Sequence, residues 1–190
     1  MDKRMKILIA TVLVILAIVA SYILLVPSEE DIYNREMKVV YDDFEIMLEN
    51  GVESKNSSQI NAEYAKEIIS ECDNNTPLIE NATFTLIELN DSVKNTTRKE
   101  YINSIYDACT SYNNSNNYLR EMYTHIKDYE EKNEGISSSY HSVNDLYNKS
   151  LEEYKHFNET RDKIQNMESE YPFLGSYNNE SVLIGDIITF

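Results

Sequence analysis

An unbroken apolar run, residues 7–26, dominates the pattern of hydrophobic and polar positions along this chain. The run contains no charge, and its polar side chains are limited to Thr11, Ser21 and Tyr22. A helix of this length rises about 30 Å, which matches the hydrocarbon thickness of a bilayer. Because apolar side chains occur on every face, such a helix suits lipid better than water. The pattern therefore predicts a transmembrane anchor over 7–26.

Charges on either side of this run predict its orientation. Three basic residues precede it and three acidic residues follow it: Lys3, Arg4 and Lys6, then Glu29, Glu30 and Asp31. Positive flanks stay in the cytoplasm, so residues 1–6 are a cytoplasmic tip and the chain from residue 27 onward is extracytoplasmic. Cleavage of a signal peptide near Ala20 is the alternative. The apolar run continues past that point to Val26, which favours an uncleaved signal-anchor, and both interpretations export the remainder.

Beyond Pro27, the spacing of apolar residues becomes that of an amphipathic helix. Spacings of 4, 3, 4 and 3 separate Tyr33, Met37, Val40, Phe44 and Met47. Ser28 offers an N-cap, and Gly51 follows the last turn. These signals predict a helix over 28–49.

The next stretch contains two candidate helices. The first is predicted over 58–72, and the tract 73–75 is expected to end it. Thr76 and Pro77 then have the pattern of an N-cap followed by a first-turn proline, ahead of a second helix that reaches Val93. If Pro77 only kinks the chain, the two helices form one leg of a bundle. If they fold back on each other, they form a hairpin.

Two long helices are predicted next, over 98–132 and 138–170. Thr97 and Glu100 match a capping box at the start of the first, and the Asn-rich tract 113–117 is its weak point. The second is expected to bury one face, comprising Tyr140, Val143, Tyr147, Leu151, Tyr154, Phe157, Ile164 and Tyr171. The apolar C-terminal tail, 172–190, is too short to cross a bilayer. We expect it to dock on the bundle, and contact with the bilayer surface or with a partner is the alternative.

These helices predict an all-α protein with one N-terminal transmembrane helix. Helices joined by short turns pack antiparallel, so residues 27–171 are expected to form an elongated, coiled-coil-like helical bundle. The preferred arrangement has four legs, and the alternative has five antiparallel helices. The sequence contains four Gly and three Pro, too few turn residues for a sandwich of short strands.

Charge is distributed unevenly about the predicted anchor. The whole chain carries a net charge of −16, from 17 basic and 33 acidic residues. Residues 1–26 hold three basic residues and one acidic residue, which leaves 14 and 32 in residues 27–190, a net charge of −18. A domain this acidic repels nucleic acid and anionic lipid, whereas it tolerates cationic partners.

Asn-x-Ser/Thr sequons are frequent in the predicted exported part. They begin at Asn56, Asn74, Asn81, Asn90, Asn95, Asn113, Asn148, Asn158 and Asn179. Random placement of the same residues would give roughly three such motifs. The excess favours a glycoprotein, because N-glycosylation occurs on exported surfaces.

Two cysteines, Cys72 and Cys109, lie in the same exported part. An oxidising environment allows them to form one disulfide, provided that the fold brings them together. The alternative is that both are buried small apolar residues. No C-x-x-C motif occurs, so thiol-redox chemistry has no support.

Motifs for catalysis and cofactor binding are missing from the sequence. It contains no Gly-x-Ser-x-Gly, Walker loop, dinucleotide fingerprint or EF-hand pattern. His125 and His141, which the predicted hairpin brings near Asp128 and Asp145, are a weak metal candidate because exposed histidines are far commoner. Glu153 with His156 matches a di-iron motif that occurs only once in the sequence, whereas such sites need a second copy. No catalytic, cofactor-binding or metal residue is therefore predicted, and the chain is expected not to be an enzyme.

The sequence as a whole predicts a single-pass membrane glycoprotein with a structural or interaction role at the cell surface. Its expected partners are the membrane and a protein or another component of the cell envelope. Nucleic acid is not expected as a partner, since the domain is acidic. The alternative function is an extracytoplasmic helical module that binds or senses a small ligand in a pocket between its helices.

Overall fold

The computed structural model describes residues 12–16, 27–50, 61–132, 140–178 and 182–187. Four long helices make up most of this part of the chain: α1, Glu29–Asn50; α2, Ala62–Ser92; α3, Thr96–Lys132; and α4, Tyr140–Glu170. A 3₁₀ turn, Pro172–Gly175, and a short helix α5, Ile184–Ile187, follow them. The predicted all-α class and the helical bundle are confirmed for the residues described.

The predicted membrane anchor falls almost entirely outside the described residues. Within 7–26, the structure describes only residues 12–16, which are helical and exposed. Among the helices that can be assessed, none has the length and apolar character needed to cross a membrane.

Helix α1 begins as the sequence predicts, with Ser28 as its N-cap. The backbone N–H of Asp31 donates to Ser28 Oγ at 3.1 Å, and the backbone N–H of Ser28 donates to Asp31 Oδ2 at 3.0 Å. This reciprocal pair satisfies donors that a helix N-terminus otherwise leaves free. The five predicted apolar residues of α1 are all buried, and Tyr41 joins them.

Helix α2 continues through Pro77 without a break, so in the described residues the two predicted helices form one leg and the predicted hairpin is absent. Proline removes one backbone hydrogen bond and crowds the preceding turn. Two side chains bond that turn: Thr76 Oγ1 and Asn116 Nδ2 donate to the Cys72 carbonyl oxygen at 2.8 and 3.0 Å. The predicted break at 73–75 is absent because these contacts hold the turn in place.

The starts of α2 and α3 differ from the predicted ones, and asparagine caps explain both differences. Asn61 Oδ1 accepts a hydrogen bond from the Tyr64 N–H at 2.9 Å, so α2 starts at Ala62 rather than 58. Asn95 Oδ1 accepts from the Arg98 N–H at 3.0 Å. The predicted capping box at Thr97 is therefore wrong, because Thr97 already lies inside the helix.

Consecutive helices pack against each other, and pairs of contacts between them show that they run antiparallel. Three contacts define the register: Asn81 with Asp43 between α1 and α2, Asn116 with Cys72 between α2 and α3, and Tyr101 with Glu168 between α3 and α4. Since α1 has 22 residues and α3 has 37, the described helices that extend beyond the end of α1 are α2, α3 and α4.

The C-terminal tail closes the bundle between α1 and α4. Tyr33 of α1 donates its hydroxyl to the Leu174 carbonyl oxygen at 2.8 Å. Leu174, Tyr177, Ile184 and Ile187 are buried in the same core as α1 to α4. The described part of the tail therefore docks, as the sequence favours, because its apolar side chains complete a core that the long helices leave open.

At one end of the bundle, the start of α1 lies beside the turn between α2 and α3 and beside the tail. Glu29 Oε1 accepts hydrogen bonds from the backbone N–H groups of Lys94 and Asn95 at 3.0 and 3.2 Å. These bonds lower the pKa of Glu29. The first turn of α1 is thereby tied to the turn that joins α2 to α3.

A polar layer crosses the middle of the bundle. Asn75 Nδ2 donates to the Tyr112 hydroxyl at 3.2 Å, and the hydroxyl oxygens of Ser115 and Ser150 lie 2.9 Å apart. Buried polar groups are costly when unpaired, so a shift of one helix along its neighbour would break these bonds at a cost. The layer therefore favours one register of α2, α3 and α4.

Candidate functional site

The sequon asparagines lie towards the outside of the bundle. Four are exposed, namely Asn74, Asn81, Asn95 and Asn148, and three are half-buried, namely Asn90, Asn113 and Asn158. Asn56 and Asn179 fall outside the described residues. Each of the seven described sequons thus keeps its asparagine out of the buried core.

Several of these asparagines also have a structural role. Asn81 Nδ2 donates to Asp43 Oδ2 at 2.7 Å, and Asn158 Nδ2 donates to the Tyr154 carbonyl oxygen at 2.9 Å. The Oδ1 atoms of Asn90 and Asn113 are buried without a hydrogen-bond partner. The surroundings of Nδ2, the atom that would carry the sugar, therefore differ from one sequon to another. Asn74 and Asn148 are exposed.

The first half of helix α4 buries a different face from the one predicted. Tyr147 and Leu151 are each 51% exposed and Tyr154 is 37% exposed, so the prediction that these three residues are buried is wrong. Leu146 and Ser150 are buried in their place, whereas Phe157 and Ile164 are buried as predicted. The reason lies on α3, where Ser115 bonds the Ser150 hydroxyl and turns that face of α4 inward.

This rotation creates an apolar stripe on the outside of α4, formed by Tyr147, Leu151 and Tyr154. A groove of about 620 Å³ runs along the stripe. Leu151 and Tyr154 line the groove, together with charged side chains that include Lys155 and Glu159. The sequon asparagines Asn148 and Asn158 line it as well. The stripe is a candidate contact surface, since large exposed apolar patches commonly mark binding sites.

Cys72 and Cys109 are free, buried thiols, so the disulfide that the sequence allows is not formed. The Cys72 carbonyl oxygen contacts Asn116, which lies seven residues beyond Cys109 on α3. That offset corresponds to about 10 Å along the bundle, whereas bridged cysteines need Cα atoms within about 7 Å. Burial raises the pKa of both thiols, which keeps them protonated and unreactive at neutral pH. Both cysteines are therefore buried small apolar residues, which is the alternative that the sequence left open.

A buried carboxyl group that the sequence analysis misses lies between α4 and the tail. Glu168 is 6% exposed, and its Oε1 accepts hydrogen bonds from the Tyr101 hydroxyl at 2.5 Å and the Gly185 N–H at 3.1 Å. Burial raises the pKa of Glu168, and the Asp186 charge adds to the shift. Its position four residues after Ile164, on the core face of α4, is the signal that points to burial.

Metal-binding geometry is not found in the part of the chain that the structure describes. None of its His, Cys, Asp and Glu side chains form a group of three that could hold an ion. His125 lies 3.9 Å from Glu121, one turn earlier on the same helix. Glu153 contacts Asn114 at 3.3 Å, and His156 is exposed.

Comparisons with protein-family models, curated proteins and solved structures give no match to this chain. The class that the fold defines is thus an acidic antiparallel helical bundle with a docked C-terminal tail.

Proposed function

We propose that this chain is a membrane-anchored, N-glycosylated surface protein with a structural or interaction role and no enzymatic activity. Residues 7–26 are the anchor, the N-terminus is cytoplasmic, and the bundle is extracytoplasmic. The uncharged run and its basic and acidic flanks support this topology.

The placement of asparagines in the bundle carries the proposal. All seven described sequon asparagines are exposed or half-buried. Asn75 and Asn116, which the bundle does bury, both lie outside sequons. An N-linked sugar needs solvent, so this separation supports glycosylation and hence export.

The shape of the bundle supports a role in presenting a surface away from the membrane. The start of α1 follows the anchor segment directly and shares one end of the bundle with the tail. The 37 residues of α3 extend about 55 Å from that end. A net charge of −18 on residues 27–190 favours a cationic protein or envelope component as the partner.

Protease accessibility on intact cells, combined with a glycosidase mobility shift, tests topology and glycosylation together. We expect external protease to digest the bundle and glycosidase to increase the gel mobility of the full chain. Asn74→Gln should remove one glycan and increase the gel mobility. The control is Asn117→Gln, which should leave the mobility unchanged because Asn117 is exposed and lies outside any sequon. A protease-resistant, sugar-free chain in the soluble cell fraction would contradict the proposal.

A further inference from the structure

The groove along the stripe of α4 has the chemistry of a sugar-binding surface. Leu151 and Tyr154 provide apolar area, and beside them stand Lys155 and three carboxylates, those of Glu152, Glu159 and Asp162. A sugar ring has an apolar C–H face and a rim of hydroxyl groups. Apolar side chains beside a few hydrogen-bonding groups are the usual lining of a small-molecule site.

The direction of helical side chains distinguishes the two sequons that line this groove. Side chains of an α-helix lean towards its N-terminus, over the preceding turn. A glycan on Asn158 therefore starts over Tyr154 and Leu151, whereas one on Asn148 starts over residues 144 and 145. Asn158 already leans this way, because its Nδ2 donates to the Tyr154 carbonyl oxygen at 2.9 Å. A glycosylated amide keeps one N–H, so this bond can persist.

We propose that a glycan on Asn158 lies in this groove, with its first sugars packed on Leu151 and Tyr154. The stripe of α4 is then covered by the protein's own oligosaccharide. This inference rests on the proposed function, since the chain must be exported to be glycosylated. A second copy of the chain is the competing occupant, and the net charge of −18 on residues 27–190 opposes it by repulsion.

Hydroxyl-radical footprinting of the full-length protein in membranes tests the inference. Expression in a eukaryotic secretory host supplies a defined probe, a glycan with a core of linked N-acetylglucosamines. Asn158→Gln removes the proposed glycan, and Asn148→Gln is the matched control on the same helix. The asparagines are substituted because the sequon hydroxyls of Thr160 and Ser150 are buried and hydrogen-bonded.

We expect radical labelling of Leu151 and Tyr154 to rise severalfold in Asn158→Gln and to stay at the wild-type level in Asn148→Gln. The melting temperature should fall by about 2 °C or more in Asn158→Gln alone, because buried apolar contacts are lost. Leu151→Ser should lower the melting temperature of the glycosylated protein and leave that of Asn158→Gln unchanged.

Four results would overturn this inference, and they are distinguishable. Equal labelling in both variants, or an unmodified Asn158 beside other glycosylated sequons, removes the inference and leaves the proposed function standing. If Leu151 stays protected from radical labelling in Asn158→Gln, and this protection disappears on dilution, the stripe is covered by a second copy of the chain and not by the glycan. A full-length chain without sugar at any sequon contradicts the proposed function and, with it, this inference.

Discussion

At the scale of single residues, Glu168 shows how the bundle combines a charge with a core. Its carboxyl group accepts hydrogen bonds from α3, through Tyr101, and from the tail, through Gly185. The hydroxyl groups of Tyr101 and Tyr177 lie 3.3 Å apart beside it. Burial nevertheless dominates and raises the pKa of Glu168. The folded state thus favours the protonated carboxyl group more than the unfolded state does.

This raised pKa predicts a pH dependence with a definite sign. The stability that protonated Glu168 contributes is complete below its ordinary pKa of 4.5 and is lost as pH rises through the folded-state pKa. Relative to Glu168→Gln, the wild type should therefore gain unfolding free energy as pH falls from neutrality towards 4.5. Urea unfolding at a series of pH values measures this difference.

Acidification also relieves repulsion within the whole acidic chain, so a control variant is needed. Glu152→Gln changes an exposed glutamate on the same helix and should follow the wild type with pH. A difference between wild type and Glu168→Gln that stays constant with pH would show that Glu168 does not titrate in this window.

At the scale of helices, α2 depends on α3 to remain continuous. Pro77 in a helix interior costs about 3 kcal/mol relative to alanine. Asn116 of α3 donates to the Cys72 carbonyl oxygen and, at 3.3 Å, to Thr76 Oγ1. A residue from the neighbouring helix thus bonds the turn that proline disturbs, and this explains why the two predicted helices are one.

Removal of Asn116 should destabilise the bundle at this turn. We expect Asn116→Ala to lower the unfolding free energy by about 0.5–1.5 kcal/mol, because it removes a buried hydrogen bond and leaves Thr76 Oγ1 as the side-chain donor to the Cys72 carbonyl oxygen. The control is Asn117→Ala, which should change the unfolding free energy by less than about 0.5 kcal/mol because Asn117 is exposed. The urea midpoint of each variant measures its change in unfolding free energy, provided that the slope of the free energy against urea concentration stays constant. Similar losses for the two variants would refute a special role for Asn116.

At the scale of the whole molecule, the docked tail joins α1 to α4. Gln165 Nε2 donates to the Gly185 carbonyl oxygen at 2.8 Å, while the Gly185 N–H donates to Glu168. A Cβ at position 185 would lie 2.5 Å from Glu168 Oε2 and 3.2 Å from the Gln165 Cα atom. The second atom belongs to the backbone of α4, so it cannot move aside at low cost.

A pair of glycine substitutions tests this closure. Gly185→Ala should cost about 1–3 kcal/mol of unfolding free energy, as overpacking does, and should speed proteolysis of the tail. Gly175→Ala should cost less, because the three nearest atoms, starting 2.6 Å from the added Cβ, belong to the flexible Leu183 side chain. Equal costs, or a tail in Gly185→Ala that resists protease like the wild type, would show that docking tolerates a side chain here.

Much of the bundle could be predicted because its signals are local. The 3 and 4 spacing in α1 and its Ser28 cap depend on residues within one or two turns, and both are confirmed. The phase of α4 could not be fixed in this way. Tyr147, Leu151 and Tyr154 follow the same spacing as a core stripe, so a single helix offers two apolar faces of similar appearance. Which of them turns inward depends on Ser115 of another helix.

The sequence by itself determined that helices form, roughly where they begin and end, and that sequon asparagines avoid the core faces. Backbone hydrogen bonding and apolar periodicity within a segment are enough for that. Tertiary structure alone decided that Pro77 is tolerated, that Cys72 and Cys109 stay apart, and that Glu168 is buried. Each of these outcomes depends on side chains from a neighbouring helix or from the tail, which periodicity within one segment cannot specify.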